Sequence, residues 1–261
     1  MLSKLYRKTI RALFRYDPTF MDWYHHPAFQ ERGAYYLKKV FSVLDQFPEE
    51  KRNDIKIVDL GCQAGRMTIP VLQAGFTQTL GIDTSGMALR AAQRTLKSLS
   101  LTGQFKKIDL ARYVAQCPAL SVDAIISIET LYLCLNFNPL IQNIAHILKP
   151  GGYLIATFKT KSYFFTEAIL RNQLERARFV LHTSEGEVKD LGKNWQSKKE
   201  LLHLLEANGI QCISSDFYYP FDPRQISVKK YLDLYPQDES KIDFLDDQGR
   251  EIVLIGKKNY V

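Results

Sequence analysis

The chain has 261 residues, 46% of them hydrophobic and 24% charged, which supplies enough apolar material for a continuous core and excludes wholesale disorder. No apolar run approaches the roughly 18 residues of a membrane-spanning helix, and the basic start lacks the apolar segment and cleavage site of a secretory signal, so a cytoplasmic location is expected. The net charge of +7 is uneven: residues 1–16 hold Lys4, Arg7, Lys8, Arg11 and Arg15 and no acid, so the remaining body is nearly neutral and offers no broad basic face for nucleic acid.

Residues 2–15 read as an amphipathic helix, with Leu2, Leu5, Tyr6, Thr9, Leu13 and Phe14 on one side and Lys4, Lys8, Arg11 and Arg15 on another. An aromatic, turn-rich stretch from Tyr16 to Pro27 carries Trp23, Tyr24, His25 and His26. A second helix is predicted over 29–46. From residue 55 the pattern becomes strand, turn, helix, repeated. Ile55–Leu60 is an apolar run suited to a strand buried on both faces, Gly61–Gly65 is its turn and Arg66–Ala74 the helix. Thr77–Asp83 is the second strand, Ser85–Leu99 a helix opened by serine, Phe105–Ile108 a weaker third strand and Val122–Ile128 the fourth.

Asn138 and Pro139 suit the start of the next helix, Lys149 its last turn, and Pro150-Gly151-Gly152 its stop. Tyr153–Phe158 is the fifth strand. Residues 160–196 interrupt the alternation and are predicted helical in part. Ser197 and Glu200 form a capping box before Leu201, Leu202, Leu204 and Leu205, the buried face of a helix ending at Asn208-Gly209. Ile210–Tyr219 and Glu251–Lys257 are two further strands, separated by a polar insertion at 220–249. Alternating strands and helices predict an α/β, doubly wound sheet with helices on both faces. Cys62, Cys117, Cys134 and Cys212 form no C-x-x-C pair and have no histidine at zinc-like spacing, so free buried thiols are expected and no metal.

In such a sheet ligands bind beyond the C-terminal strand ends. Four of these ends carry suitable groups. Asp59-Leu60-Gly61-Cys62-Gln63-Ala64-Gly65 lets the backbone approach a ligand before a helix start that favours negative charge. Asp83 ends the second strand, where an acid accepts from both hydroxyls of a ribose. Asp109 can accept from an adenine amino group while Leu110 gives apolar cover. Ser127-Ile128-Glu129-Thr130 follows the fourth strand.

These residues resemble the motifs of the class I S-adenosylmethionine-dependent methyltransferases. Asp59–Gly65 is similar to the family's first motif, an acid followed by alternating glycines around the methionine part of the cofactor. Gly81-Ile82-Asp83-Thr84-Ser85 resembles the second, whose acid holds the ribose, and Asp109 falls where the adenine-binding acid lies. Ile147-Leu148-Lys149-Pro150-Gly151-Gly152-Tyr153 is similar to the family's hallmark turn before the fifth strand, and Glu200–Gly209 to the helix before its sixth. The resemblance spans roughly residues 55–160, 197–219 and 250–258. It departs from the pattern at Gln63, where the middle glycine is expected. A dinucleotide-oxidoreductase fingerprint would need glycines at 63 and 66, where the chain has Gln63 and Arg66.

The resemblance implies S-adenosylmethionine as cofactor and a seven-stranded, mostly parallel sheet with the last strand antiparallel. Its binding residues would be Asp59, Gly61, Cys62, Gln63, Gly65, Asp83, Thr84, Asp109, Leu110 and Ser127. Residues 1–50 form a predicted N-terminal helical cap, residues 51–261 the catalytic domain, 160–196 an inserted lid and 220–249 an insertion before the last strand. A general base is needed only where the acceptor holds its proton. His25, His26 and Glu129 are the candidates, against ordinary structural roles for each. His146 and His203 lie on packing helices and His182 in the insertion. Tyr132 is a pocket-lining or core tyrosine. The dense aromatics of the insertion, Tyr163, Phe164, Phe165, Phe179 and Trp195, are expected mostly to pack their own cover onto the core. Two covers and a near-neutral body favour a small-molecule acceptor. The alternatives are an RNA methyltransferase whose basic N-terminal helix touches phosphates, and a non-catalytic membrane-surface or scaffold protein using that helix.

Overall fold

The computed structural model describes residues 27–186, 193–220, 227–244, 247 and 249–260. The predicted helix at 2–15, the aromatic stretch before Pro27 and the candidates His25 and His26 lie outside them. The chain divides into two compact units, one through Leu110 and one from Ala111.

The first unit opens with α1 (Pro27–Leu44). Tyr36, Val40, Val43 and Leu44 recur at helical spacing and are buried, which gives α1 its packed face. A 3-10 turn at Glu49–Asp54 leads to β1 (Ile57–Leu60), buried at every position. Then come α2 (Thr68–Gln73), β2 (Thr79–Asp83), α3 (Gly86–Ser98) and β3 (Gln104–Lys107). The helix after β1 begins later than its sequence predicts, because Gly61 to Met67 are spent on the turn. Ser85 caps α3 as expected, accepting the Ala88 N–H at 3.2 Å. β1, β2 and β3 pair in parallel.

The second unit contains β4 (Val122–Ser127), α5 (Phe137–Ile147) and β5 (Leu148–Lys159), preceded by α4 (Leu110–Gln116) at its boundary. After β5 come α6 (Lys161–Leu170), α7 (Leu174–His182), α8 (Lys198–Ala207), β6 (Ile210–Pro220), α9 (Lys229–Leu234) and β7 (Gly249–Lys258). The seven strands form one sheet in the order β3-β2-β1-β4-β5-β7-β6. β4 and β5 are parallel, while β7 runs antiparallel to both β5 and β6. This is the predicted architecture.

Local readings need correction around α5. Its N-cap is Asn136, in the left-handed region, and makes no side-chain cap bond. The orphan Phe137 N–H is instead taken by the Glu185 carboxylate at 3.0 Å, a partner from far along the chain. Pro139 does fall in the first turn. Lys149 lies in β5, which starts five residues before Tyr153, and pairs with both Asp123 oxygens at 2.8 Å. The Pro-Gly-Gly segment is therefore part of the strand. In α8 the capping box forms as predicted, Leu201 and Leu205 are buried and Leu202 and Leu204 are only half-buried. His146 and His203 are exposed on their helices.

The two insertions share a core. Phe164, Phe165, Ala177, Val180 and Trp195 from the first pack with Tyr231 and Phe244 from the second, with Phe165 edge-on to Tyr231 and Phe244 at 5.2 and 5.5 Å. The segment that reads as polar thus supplies two buried aromatics. Below them Asp238, fully buried, accepts from the Tyr231 hydroxyl at 2.6 Å and pairs with His182 Nε2 at 2.9 Å. That tie gives His182 a structural partner although the residue is exposed. Among the described residues the four cysteines are free, Cys62 buried and the others half-buried. No helix among those residues is long and apolar enough to cross a membrane.

Candidate active site

In the first unit the ends of β1, β2 and β3 lie side by side. The turn after β1 alternates its backbone hand: Gly61 has φ 80°, Gln63 φ 49° and Gly65 φ 85°. These are the places where the family pattern has glycine, since a left-handed residue with a Cβ costs about 1–2 kcal/mol. Gln63 therefore adopts the conformation of the glycine it replaces. Its N–H donates to Asp83 Oδ2 at 3.0 Å, and the Gly61 and Cys62 N–H groups both donate to Ile82 O at 2.9 Å. Gly81 is required by space: a Cβ there would sit 2.6 Å from the Phe105 ring and 2.9 Å from Cys62 Sγ.

Asp83 is half-buried at the end of β2. Its Oδ1 accepts the Ser85 N–H at 2.7 Å while Oδ2 accepts from Gln63. Each oxygen has a further lone pair for a ligand hydroxyl, so the carboxylate is aimed by the backbone and still able to accept. Thr84 beside it is exposed. Asp109 is exposed at the end of β3, next to buried Leu110. A carboxylate able to hold two vicinal hydroxyls, a second exposed acid one strand away and a tightly curled loop with glycine at both ends fit the ribose, adenine and methionine parts of S-adenosylmethionine.

Asp59 has a different place. It is 2% exposed, and its Oδ2 accepts the Thr68 hydroxyl at 2.6 Å. Burial pushes its carboxyl up to about 6, against the Thr68 bond and the nearby Arg66 charge. Arg66 in turn lies over the Tyr36 ring of α1 at 5.6 Å. Asp59 thus braces the turn from beneath. The Cys62 thiol is pushed upward by burial and by Asp59 and Asp83, which keeps it protonated and unreactive.

In the second unit Ser127 is fully buried at the end of β4, and Glu129 follows in the left-handed region at φ 56°. The Glu129 N–H donates to Thr157 Oγ1 on β5 at 2.7 Å, which fixes this strained residue. Tyr132 is half-buried, with the Lys159 ammonium 5.0 Å from its ring centre. Lys159 and Glu251, both buried, form an ion pair. Neither was singled out from sequence, because they stand 92 residues apart and meet only through the β5–β7 register that aligns them. The one visible signal is a charge bordering each of two apolar runs, Lys159 after the first and Glu251 before the second. Behind Tyr132 its carbonyl accepts the Lys193 N–H at 2.6 Å, and Asn194 Nδ2 donates to the Leu131 and Cys134 carbonyls at 2.7 and 2.8 Å. Among the described residues no His, Cys, Asp or Glu cluster is arranged to hold a metal.

The family described as "Methyltransferase domain" matches residues 29–215, most of the chain and including nearly all of α1. No curated protein matches the sequence. Among solved structures, the chain is similar to magnesium protoporphyrin IX methyltransferase from Synechocystis PCC 6803 with bound SAH, at 17% identity over 97% of this chain and 99% of that one, TM-score 0.60. It is also similar to an S-adenosylmethionine-dependent methyltransferase from Mesorhizobium loti, at 19% identity over 78% and 91% of the two chains, TM-score 0.54. A third structure, a candidate sarcosine dimethylglycine methyltransferase from Galdieria sulphuraria, aligns at 13% identity over 89% and 87%, TM-score 0.57. At these identities the likeness speaks for the fold.

Proposed function

The chain belongs to the class I S-adenosylmethionine-dependent methyltransferases, and on that footing we propose that its acceptor is a small molecule, methylated on oxygen, nitrogen or carbon. The observation that carries this reading is the cover built by the two insertions. Their shared aromatic core is tied to the C-terminal end of β5, where Thr160 pairs with Gln196 and its hydroxyl donates to Gly249 O at 2.8 Å. A packed cover at a strand end suits an enclosed small-molecule site, whereas RNA needs an open, basic groove. Two of the similar structures carry names of small acceptors, magnesium protoporphyrin IX and sarcosine or dimethylglycine, which agrees with this choice.

When bound, S-adenosylmethionine supplies a methyl group on a sulfonium, already activated for in-line displacement. The chain's part is then to bind, align and exclude water. Asp83 and Asp109 hold the nucleoside end, and the turn after β1 takes the amino-acid end. Asp59, satisfied internally by Thr68, keeps that turn in shape. On the acceptor side Glu129 is the group we assign to receive a proton or to hold an amine, fixed by the Thr157 hydroxyl.

The test is transfer of a labelled methyl from the cofactor to fractions of a cell extract, small metabolites in one and total RNA in another. Label is expected in the metabolite fraction, with a Glu129→Gln variant slowed at least tenfold on that acceptor. Label in RNA alone, lost when Lys4, Lys8, Arg11 and Arg15 are changed to Gln, would overturn the proposal in favour of an RNA substrate.

A further inference from the structure

The near-neutral total of the body conceals a local excess. Residues 1–16 and 84–108 together hold ten of the chain's 35 lysines and arginines and none of its 28 acids, so everything else carries a net negative charge. In the second tract the cations share one surface of the first unit. Arg90, Arg94 and Lys97 follow at i, i+4 and i+7 on α3, turned away from its buried Leu89, Ala92 and Leu96, and are exposed. Lys106 and Lys107, also exposed, stand on β3, the edge strand of the sheet. Leu96 and Phe105 belong to one apolar cluster, which packs α3 against β3. The two rows meet at Gly86, where a Cβ would lie 3.4 Å from the Lys107 stem and 3.5 Å from the Arg90 guanidinium. Ordinary surface roles do not call for this pattern. A solvated helix face gains from acids and bases at i, i+4, and like charges at that spacing repel. One lysine is enough to blunt a sheet edge. Cations are disfavoured at the start of a helix, yet Arg90 and Lys107 crowd there. Among the described residues no hydrogen bond or ion pair engages the side chains of Arg90, Arg94, Lys97 or Lys107.

We propose that this face, α3 together with the β3 edge, docks the chain on an anionic lipid membrane as a peripheral protein. The docking holds whatever the methyl acceptor is. Charge complementarity calls for a polyanion, and the apolar neighbours of the cations select a lipid surface among polyanions. Leu99, directly after α3 and two residues from Lys97, is 44% exposed, and a leucine there gains by entering the headgroup region but gains nothing on a phosphate backbone. The sequence of residues 1–16 repeats the pairing, with Leu2, Leu5, Leu13 and Phe14 among its five cations. A basic amphipathic stretch of this kind favours anionic lipid, and stable attachment to a membrane takes two such signals. Nucleic acid fits less well. Single strands are held by bases stacked on aromatic rings, and the one aromatic of residues 84–108 is Phe105, whose ring lies against Gly81, 2.6 Å from where a Cβ there would be. Each lysine or arginine near an anionic leaflet adds a similar increment of affinity, so four exposed cations on one face count together.

The experiment is co-sedimentation of the full chain with vesicles of phosphatidylcholine alone and with phosphatidylserine added, at about 0.1 M salt and again at about 0.5 M. Binding is expected to the phosphatidylserine vesicles only and to weaken with salt. Changing Arg90, Arg94, Lys97 and Lys107 to Gln is expected to lower the partition coefficient at least about tenfold. Changing the same four so that each keeps its charge (Arg90→Lys, Arg94→Lys, Lys97→Arg, Lys107→Arg) is expected to preserve it. Circular dichroism and affinity for S-adenosylhomocysteine report whether each variant is folded. Should the fourfold Gln variant not fold, Arg94→Gln/Lys97→Gln, on the exposed side of α3 alone, is expected to lower the partition coefficient at least about threefold. A parallel series replaces Lys4, Lys8, Arg11 and Arg15 by Gln. No binding of the unaltered chain to phosphatidylserine vesicles would overturn the proposal. So would binding that the N-terminal series abolishes and the α3 and β3 series leaves unchanged. Total RNA bound in preference to vesicles, and released by the α3 and β3 changes, would overturn it in favour of a nucleic-acid face.

Discussion

Asp83 and Gln63 join the ends of two strands: the Gln63 N–H donates to Asp83 Oδ2 at 3.0 Å, so the acid we assign to the ribose also shapes the turn after β1. Its other oxygen accepts the Ser85 N–H at 2.7 Å, one residue before α3 begins. Asp83, the turn after β1 and the start of α3 are thus one hydrogen-bonded unit within the first compact part of the chain.

The first prediction is the cost of breaking that unit. Asp83→Ala removes a charged acceptor of ribose hydroxyls, each bond worth about 1.5–3 kcal/mol. S-adenosylhomocysteine affinity should fall at least tenfold by calorimetry, while circular dichroism still reports a folded α/β protein. An unchanged dissociation constant would place the ribose elsewhere.

Gln63 supports a second. Its φ of 49° costs a non-glycine residue about 1–2 kcal/mol, and glycine loses about 0.5–1 kcal/mol through its freer unfolded chain. Gln63→Gly should therefore leave the melting temperature equal or slightly higher and cofactor affinity intact. Gln63→Val, β-branched in a left-handed position, should lower both. A tenfold loss of affinity in the glycine variant would instead assign the amide side chain a direct cofactor contact.

Asp59 predicts a pH dependence. Its carboxyl, pushed up from 3.8 to about 6 by burial, holds its proton in the folded chain after the unfolded chain has lost it. Between about pH 4 and 6 the folded state binds more protons, so this group's contribution to stability is present below pH 4 and is lost as pH rises through 6. Asp59→Asn removes that dependence while an amide oxygen can still accept from Thr68. The stability of the variant relative to wild type should rise by about 1–3 kcal/mol between pH 4.5 and 7, read from urea unfolding at both. A constant difference would show that Asp59 titrates normally.

Much of this was legible in the sequence where chemistry is local. The strand-end residues Gly61, Asp83 and Asp109 announce themselves by type and spacing, and the Ser197–Glu200 capping box is four residues long. Gln63 looked like a departure and became intelligible only as a backbone angle, which no residue letter carries. The cap of α5 was misread because its partner is Glu185, supplied by a distant insertion rather than by Asn138 next door. Lys159 and Glu251 escaped for the same reason: their meaning lies in a strand register. Tyr231 and Phe244 sit in a segment whose average is polar, and two aromatics among charges do not reveal that they complete the core of another insertion.

The most direct measurement is calorimetric titration of the full chain with S-adenosylhomocysteine in metal-free buffer, with thermal shift alongside. The strand ends of the first unit predict one site per chain, a dissociation constant in the micromolar range or below, and a higher melting temperature with ligand, all weakened in Asp83→Ala. Neither heat nor thermal shift with this compound or with S-adenosylmethionine would contradict the account at its centre.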